Sequence, residues 1–219
     1  MSPKAIRLGI LVPSSNTALE PLTTALLASI NASLPNTPDI TAHFSRFPVT
    51  TISLSPTGLA QFDLAPILFA ASLLAHANVD IIGWSGTAAG WLGFEKDVEL
   101  CAEIEKETGI KATTSVLALN KVLELWSVER LGLVTPYVDD VQAKIVQNYG
   151  KIGVQIVGEK HLRVEKNNAI ADIGEEVLDG MVQEVIVFDT VTTVVWDMLR
   201  ERGVDMSGVE GWGMIFKKV

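Results

Sequence analysis

Three polar loops contain the residues of this sequence that are best suited to bind a small anion. PSSN (13–16) follows the apolar run RLGILV, SGTAAGWLG (85–93) follows DIIGW, and TPY (135–137) follows LGLV. A short apolar run that ends in a loop of small, hydroxyl-bearing residues is typical of a strand in an open α/β sheet. Since ligands of such sheets bind beyond the carboxyl ends of the strands, the pattern predicts ligand-binding groups in these loops.

Each loop also has a structural alternative. Free N–H groups and the helix dipole after PSSN favour an anion, but Ser15 or Asn16 could simply cap the following helix. The Gly- and Ala-rich loop 85–93 could bring backbone amides to an oxyanion, or could be only a turn. Because it is neither GxGxxG nor followed by GK[ST], nucleotide binding is a weaker alternative. The Tyr137 phenol could donate to a carboxylate or pack as an aromatic at the rim of a pocket.

Cysteine and histidine offer little further chemistry. The single cysteine, Cys101, excludes an internal disulfide and a cysteine-based zinc site, and the three histidines lack metal-ligand spacing. Cys101 shares a predicted helical face with Val98 and Ile104, which indicates a buried structural thiol rather than a nucleophile. No histidine is placed near the three loops in a way that suggests a catalytic triad.

Composition limits the classes of partner. The chain has 219 residues with a net charge of −9 and scattered basic residues, which argues against nucleic-acid binding. The apolar run 64–77 is too short to cross a bilayer and has a helical pattern, so we expect a core helix and no membrane partner. No secretory signal is evident, and the cytoplasm is the expected location. The expected partner is a small carboxylate ligand, and the sequence is compatible with a homo-oligomer.

Alternating strand and helix patterns predict an α/β fold with parallel strands and crossover helices. Strands are predicted over 7–12, 41–47, 79–85, 130–135 and 154–162. Helices are predicted over 18–33, 63–78, 94–108, 113–126, 138–149, 168–185 and 191–203. The pattern occurs in two successive rounds, which suggests a first lobe of residues 1–112, with 190–219 packing back on it, and a second, shortened lobe of residues 113–189.

The second round contains an anomaly at the junction of Val185 and Ile186. MVQEV runs directly into IVFDT, and no Gly, Pro or Asn lies between Met181 and Phe188 to make a turn. The second round also has fewer predicted strands than the first. A deletion at this junction would explain both observations.

Several motifs, taken in order, resemble the maleate isomerase and arylmalonate decarboxylase branch of the Asp/Glu racemase superfamily. They are VPSSNT (12–17), GTAAGWLG (86–93), TGIKATTSVLAL (108–119), RLGLVTPY (130–137), VFDTVTTVVWDMLRERGVD (187–205) and VEGWG (209–213). The resemblance covers nearly the whole chain and implies two Rossmann-like lobes with a cleft between them. It also implies catalysis without cofactor or metal, by cysteines that face each other across a small dicarboxylate.

The resemblance implies a set of substrate-binding residues. Those that would contact the carboxylates directly are Asn16, Thr87 and Tyr137, with Ser14 and Ser15 in support. Gly86 occupies the position at which maleate isomerases have their first cysteine and arylmalonate decarboxylases have glycine. The second cysteine of the family lies in a corner that this chain lacks, at the junction of Val185 and Ile186.

No other residue is expected to replace the missing thiols. Cys101 lies two to three helical turns beyond the Gly86 corner, and Ser85 has no evident base as a partner. Asp189 could act as a base at a strand end or, as the structural alternative, cap the helix that follows it. We therefore expect a relative of cofactor-independent isomerases and decarboxylases that does not turn over maleate. A non-catalytic carboxylate binder and an incomplete gene product are the alternatives.

Overall fold

The structure, a computed structural model, describes residues 5–181 and 189–216. Within these ranges the strands are β1 (Ile6–Pro13), β2 (Ile40–Phe47), β3 (Ile81–Trp84), β4 (Ala112–Thr114), β5 (Arg130–Thr135) and β6 (Gln155–His161). The helices are α1 (Leu19–Ser33), α2 (Pro56–Ala60), α3 (Leu64–His76), α4 (Ala89–Leu92), α5 (Phe94–Thr108), α6 (Ser115–Leu125), α7 (Asp139–Lys151), α8 (Asn167–Ala171), α9 (Glu175–Asp179) and α10 (Thr190–Glu201). A 3-10 turn at Met214–Phe216 follows.

The first sheet has the strand order β2-β1-β3-β4, and its neighbouring strands are parallel. β1 is an interior strand, and its Leu8, Ile10, Leu11 and Val12 side chains are fully buried. α1 and α10 pack on one face of the sheet, and α3 and α5 lie on the other side. Burial on both faces explains why the sequence of β1 is an almost unbroken apolar run.

The described part of the second lobe has a smaller sheet, in which β5 and β6 pair in parallel with a bulge at Leu131/Gly132. α7 packs against it and buries Val141, Ile145 and Tyr149. The lobes also meet through contacts of α4 with α7 and through an antiparallel bridge between Thr51 and Lys166. The predicted fold class is confirmed in that the protein is α/β with two Rossmann-like lobes built on parallel sheets, while the shortening of the second lobe and the cleft between the lobes stay predictions.

The helix predicted over 113–126 begins at Ser115, two residues later than the sequence pattern predicted. Thr113 and Thr114 are extended and pair with β3 as part of β4. The Thr114 hydroxyl then accepts a hydrogen bond from Leu117 N at 3.1 Å and caps α6. A strand of three residues is too short to show an alternating pattern, so the sequence did not reveal it.

Two other helix predictions are partly wrong. The helix predicted over 138–149 extends to Lys151, so Gly150 lies inside its last turn, and the chain reverses at Gly153 with a φ of +81°. The helix predicted over 168–185 is broken into α8 and α9, because the backbone between them turns and then extends at residue 174.

The end of that predicted helix and the junction of Val185 and Ile186 lie outside the described residues. On one side of the gap, Lys160 Nζ donates to the Gly180 carbonyl at 3.2 Å. On the other side, Asp189 caps α10, which contacts β3 and α1 of the first lobe and also α6. The predicted deletion therefore stays a prediction.

The segment Pro56–His76 has the length and composition of a membrane-spanning helix, with a mean hydropathy of 1.6 and 28% of its most apolar window buried. In the structure it forms two helices, α2 and α3, which are interrupted at residues 61–63. α3 buries Ile67, Ala70 and Leu74 in the core beside the first sheet. A helix that packs in this way passes the same test of length and composition without crossing a membrane.

Two buried carboxyl groups connect the helices and β4 at one end of the first lobe. The Thr114 hydroxyl donates to Asp97, while Asp197 accepts from Thr113 Oγ1 at 2.5 Å and from Lys121 Nζ at 2.7 Å. Asp97 is 3% exposed and Asp197 is 0% exposed. Burial raises the pKa of Asp97 to about 7, because the loss of hydration outweighs the opposing effect of the Thr114 hydrogen bond.

Replacing Asp97 by asparagine is expected to remove part of the pH dependence of stability. The folded-state pKa of about 7 exceeds the ordinary value of 3.8, so the native state binds this proton more tightly than the unfolded chain. The stabilisation is fully present below the unfolded-state pKa and is lost as the pH rises through the folded-state pKa. Between about pH 5 and about pH 7 the loss is on the order of 2 kcal/mol.

Urea unfolding of the wild type and of Asp97→Asn at several pH values measures the contribution of Asp97 to the pH dependence of stability. The slope of unfolding free energy against pH should flatten in Asp97→Asn and stay unchanged in the control Asp172→Asn, which alters an exposed carboxylate. Identical slopes in the wild type and Asp97→Asn would show that the pKa of Asp97 is not raised in the folded state.

Candidate carboxylate site

The carboxyl ends of β1 and β3 lie side by side at one edge of the first sheet. Leu11 pairs with Trp84, and Ser85 N donates to the Leu11 carbonyl at 3.0 Å. The loops that follow these strands therefore leave the sheet next to each other, since adjacent strands are about 5 Å apart. The TPY loop leaves the carboxyl end of β5 in the second lobe.

The polar side chains of the PSSN loop are held by the first lobe. Ser15 Oγ donates to the Val49 carbonyl at 2.6 Å, and Ser14 Oγ accepts from Val49 N at 3.2 Å. Asn16 Oδ1 accepts from the two N–H groups at the start of α1, at 3.0 and 3.2 Å. The side chain of Asn16 therefore binds backbone N–H groups at the entry to α1, and that of Ser15 does not. Among the described residues, none accepts a hydrogen bond from the Asn16 side-chain NH₂ group, which leaves it available to a ligand.

Arg46 places a cation beside this loop and was not predicted from the sequence. Its Nη1 donates to the carbonyls of Ser14 and Asn16 at 2.8 and 3.1 Å, and its Nη2 lies 2.9 Å from the Glu20 carboxylate. The available signal was its position at the carboxyl end of the second predicted strand, at the same sheet edge as PSSN. Arg46 fixes the loop backbone, and the Glu20 carboxylate offsets its positive charge.

Thr87 and Tyr137 form a contact between the two lobes. Thr87 follows β3, Tyr137 follows β5, and their hydroxyl groups are hydrogen-bonded to each other. Trp91 packs edge-on against Tyr137 with 4.9 Å between the ring centroids. Burial raises the pKa of Tyr137 above its ordinary value of 10.0, although the Thr87 hydrogen bond acts in the opposite direction. The phenol therefore stays protonated at neutral pH, and the pair can donate to a carboxylate.

Two buried polar atoms near this pair have no hydrogen-bond partner among the described residues. They are Ser85 Oγ, at the carboxyl end of β3, and Trp91 Nε1, on α4. Ser85 and Trp91 are 3% and 5% exposed. A buried polar group without a partner is costly, and in native proteins it commonly marks a place where water, an ion or a ligand binds.

Gly86 has no room for a side chain in this structure. A Cβ atom at Gly86 would lie 2.1 Å from the Trp84 ring. Trp84 is 2% exposed and packs against Phe47 with 4.7 Å between ring centroids, so its indole cannot move without disturbing the core. The position that the resemblance aligns with a cysteine is thus filled by an indole.

Asn167 is a further candidate that was not predicted. It begins α8 in the second lobe, yet its Nδ2 donates to Ser15 Oγ at 3.0 Å and its backbone N donates to the Thr50 carbonyl at 3.0 Å. It is 6% exposed. No local pattern could have revealed it, because its contact with Ser15 joins positions 152 residues apart.

Cys101 is buried, as predicted, with 8% of its surface exposed. Burial, together with the nearby Asp97 charge, raises the pKa of its thiol to about 12. The predicted helical face was wrong in one respect, because Val98 is 58% exposed. The buried face of α5 instead contains Asp97 with Leu100, Cys101 and Ile104.

Of the two roles considered for Asp189, a base at a strand end and a helix cap, the structure shows the helix cap. Its Oδ1 accepts from Val191 N at 2.6 Å and from Thr192 N at 3.1 Å at the start of α10. Asp189 is exposed, and one of its two carboxylate oxygens accepts both of these backbone hydrogen bonds.

His161 lies closer to the TPY loop than the sequence indicated. It pairs with Thr135 in the second sheet, next to the TPY loop. Its Nε2 is 2.6 Å from Asp139 Oδ1, and its Nδ1 is 3.1 Å from Glu159 Oε2. Because both ring nitrogens are engaged, His161 has none left to act on a substrate. In the part of the chain that the structure describes, no group of three or more His, Cys, Asp or Glu side chains is arranged to hold a metal ion.

Solved structures of two kinds of enzyme share this fold. A cysteine-to-alanine mutant of the maleate isomerase Iso from Pseudomonas putida S16 with maleate is 22% identical, with a TM-score of 0.87 over 99% of both chains. A cysteine-to-serine mutant of the Nocardia farcinica maleate cis-trans isomerase, with a covalently bound succinylcysteine intermediate, is 20% identical, with a TM-score of 0.85 over 98% of this chain and 99% of that chain. A liganded double mutant of arylmalonate decarboxylase is 17% identical, with a TM-score of 0.74 over 98% of this chain and 100% of that chain.

Sequence comparison identifies the family. A maleate isomerase from Pseudomonas putida is 27% identical over 183 residues, which span 80% of this chain and 71% of that protein. The family model for arylmalonate decarboxylase matches residues 35–206. The resemblance seen in the motifs is thus confirmed, and the chain belongs to the arylmalonate decarboxylase family.

Proposed function

We propose that the protein binds a small carboxylic acid, such as a maleate- or malonate-like dicarboxylate, between its two lobes and lacks the thiol chemistry of its relatives. The hydrogen-bonded hydroxyl pair of Thr87 and Tyr137 carries this proposal, since it joins the two lobes at the strand ends and leaves one O–H free to donate to a ligand. Donors in this position are suited to a carboxylate, because hydrogen bonds to a charged acceptor are the strong ones.

The surroundings of the pair support an anionic ligand. The side-chain NH₂ of Asn16 faces no acceptor among the described residues, and the guanidinium of Arg46 holds the backbone of the same loop in place. Ser85 Oγ and Trp91 Nε1 add unpaired buried polar atoms on the β3 side. Relatedness to maleate isomerase and arylmalonate decarboxylase supports a small acid as the ligand class.

We infer the loss of thiol chemistry from the number and the burial of the cysteines. The chain has one cysteine, and Cys101 is buried in α5 with a raised pKa. The covalent intermediate in the Nocardia farcinica structure is a succinylcysteine, which shows that a cysteine forms the bond in that protein. We infer that this chain retains the binding groups without an accessible thiolate.

Thermal unfolding with added malonate or maleate tests the binding part of the proposal. A ligand that binds only the folded state should raise the Tm in a concentration-dependent manner. Removing the phenol in Tyr137→Phe or the hydroxyl in Thr87→Val should weaken binding about 10- to 100-fold, because a hydrogen bond to a charged group contributes roughly 1.5–3 kcal/mol.

The matched control is Tyr149→Phe, which removes the other tyrosine hydroxyl of the chain at a buried position in α7. Its ligand affinity should equal that of the wild type. Wild-type protein whose Tm is unchanged by either acid, or equal affinity in all three variants, would exclude the proposed site. Sequencing the transcript across the junction of Val185 and Ile186 would separately show whether the chain is an incomplete product.

A further inference from the structure

The guanidinium of Arg46 binds the backbone of the PSSN loop at more than one point. Its Nη1 donates to the carbonyls of Ser14 and Asn16 at 2.8 and 3.1 Å and lies 3.5 Å from the carbonyl oxygen of Pro13. Most carbonyls of this short loop therefore point towards one cation. Because hydrogen bonds from a charged donor are stronger than neutral ones, this cluster fixes the course of the loop.

The Glu20 carboxylate holds the other edge of the same guanidinium. Glu20 Oε1 accepts from Arg46 Nε at 3.1 Å and lies 2.9 Å from Nη2. Arg46 lies on β2, where it pairs with Val12 of β1, and Glu20 lies in the first turn of α1. The two side chains are 35% and 34% exposed, so water screens this pair less than a fully exposed one. The ion pair thus joins a strand end, the PSSN loop and the start of α1.

The contacts of Asn16 leave one of its polar groups unused. Its backbone N donates to the Pro13 carbonyl at 3.1 Å, and its own carbonyl accepts from Arg46. Its Oδ1 accepts from Ala18 N and Leu19 N at 3.0 and 3.2 Å. Among the described residues, none accepts from its side-chain NH₂. Since the other groups of Asn16 are held, the direction of this NH₂ is set before a ligand binds.

We propose that Arg46 and Glu20 are positioning residues of the carboxylate site, which orient the Asn16 amide without touching the ligand. This inference rests on the proposed function. A donor that is fixed in advance loses little conformational entropy on binding, and this raises the affinity. The charge of Arg46 has no direct part in this role, because the Glu20 carboxylate offsets it.

An electrostatic role for Arg46 would have the opposite consequences. If the positive charge attracted the ligand, Arg46→Lys would preserve the affinity, and Glu20→Gln would raise it by removing the carboxylate that offsets this charge. If Arg46 and Glu20 position the loop, both substitutions lower the affinity. Lysine lacks the planar fork that binds several acceptors at once, and glutamine holds the guanidinium less firmly than a carboxylate does.

Isothermal titration calorimetry of the full chain with malonate distinguishes the two roles. The affinity should fall about tenfold in Arg46→Lys and about threefold in Glu20→Gln. The matched control Arg7→Lys alters a guanidinium that donates to the Asn78 carbonyl at the opposite end of β1, and it should bind like the wild type. An unchanged affinity in Arg46→Lys or a higher affinity in Glu20→Gln would overturn the proposal. Thermal unfolding without ligand checks that each variant is folded.

A double-mutant cycle shows whether Arg46 acts through Asn16. Asn16→Ser keeps an oxygen acceptor at the entry to α1 and removes the NH₂ group, so the affinity should fall about tenfold. Adding Arg46→Lys to Asn16→Ser should then cause a further loss of at most about twofold. Losses that multiply to about 100-fold would mean that Arg46 acts independently of Asn16, which contradicts the proposal.

An NMR measurement without ligand separates this inference from the proposed function. The side-chain NH₂ of Asn16 gives a pair of signals, which are identified by their absence in Asn16→Ser. Arg46→Lys and Glu20→Gln should shift or broaden this pair, and Arg7→Lys should not. A response of these signals in a protein that binds neither malonate nor maleate would exclude the proposed function and support the positioning of Asn16. Signals that stay unchanged in Arg46→Lys would overturn the positioning role.

Discussion

Incubated with maleate, the purified chain is expected to form fumarate no faster than buffer alone does. Cysteine chemistry requires a thiolate that can reach the substrate, and the chain has only Cys101 to supply one. This thiol is 8% exposed and has a pKa of about 12, so roughly one molecule in 10⁵ would carry the thiolate at pH 7. The side chain also belongs to the buried face of α5 and not to the strand ends that carry Thr87 and Tyr137.

Proton NMR of the reaction mixture measures fumarate directly over long incubations. Wild type, Cys101→Ala and Tyr137→Phe should all match the buffer control. Fumarate formation that is abolished in Cys101→Ala would show that this thiol reaches the substrate and would overturn the proposal. Fumarate formation that persists in Cys101→Ala but is lost in Tyr137→Phe would show a reaction without a thiol.

Placing a cysteine at position 86 is expected to destabilise the protein rather than to create an active site. The Cβ atom in Gly86→Cys would lie 2.1 Å from the buried Trp84 ring, which is held by Phe47. Overpacking of a core typically lowers the free energy of unfolding by about 1–3 kcal/mol. Because this contact is very short, we expect a loss of about 3 kcal/mol. For a chain of this size that corresponds to a decrease in Tm of about 10 °C.

The same loop provides a matched control for this substitution. A Cβ atom at Gly90 would meet Ile145 at 3.5 Å, which is an ordinary contact, and Gly90 lies in α4, where alanine is favoured over glycine. Thermal unfolding should therefore show a lower Tm for Gly86→Ala and Gly86→Cys and an unchanged or higher Tm for Gly90→Ala. A Gly86→Cys variant as stable as the wild type would show that the Trp84 indole can leave this position.

Local patterns predicted most of the regular structure. The helix over Phe94–Thr108 and the strand over Arg130–Thr135 were predicted to the residue, because apolar periodicity and a following Gly109 mark the helix and an apolar run marks the strand. β4 was missed, since three residues are too few for a pattern and its threonines are buried by bonds to Asp97 and Asp197. Val98 was predicted to be on the buried face of α5, but that face contains Asp97 instead, whose carboxyl group accepts a hydrogen bond from Thr114.

The sequence by itself determined the fold class, the family and the presence of a single cysteine, because strand and helix periods, motif order and residue counts are all properties of the linear chain. Only the tertiary structure decided which polar groups meet. It joined Thr87 to Tyr137 across 50 residues, and it turned Ser15 towards Val49 and Asn167. It also filled the space beside Gly86 with the Trp84 indole. These contacts depend on how distant elements pack, and a pattern of local spacing carries no information about that packing.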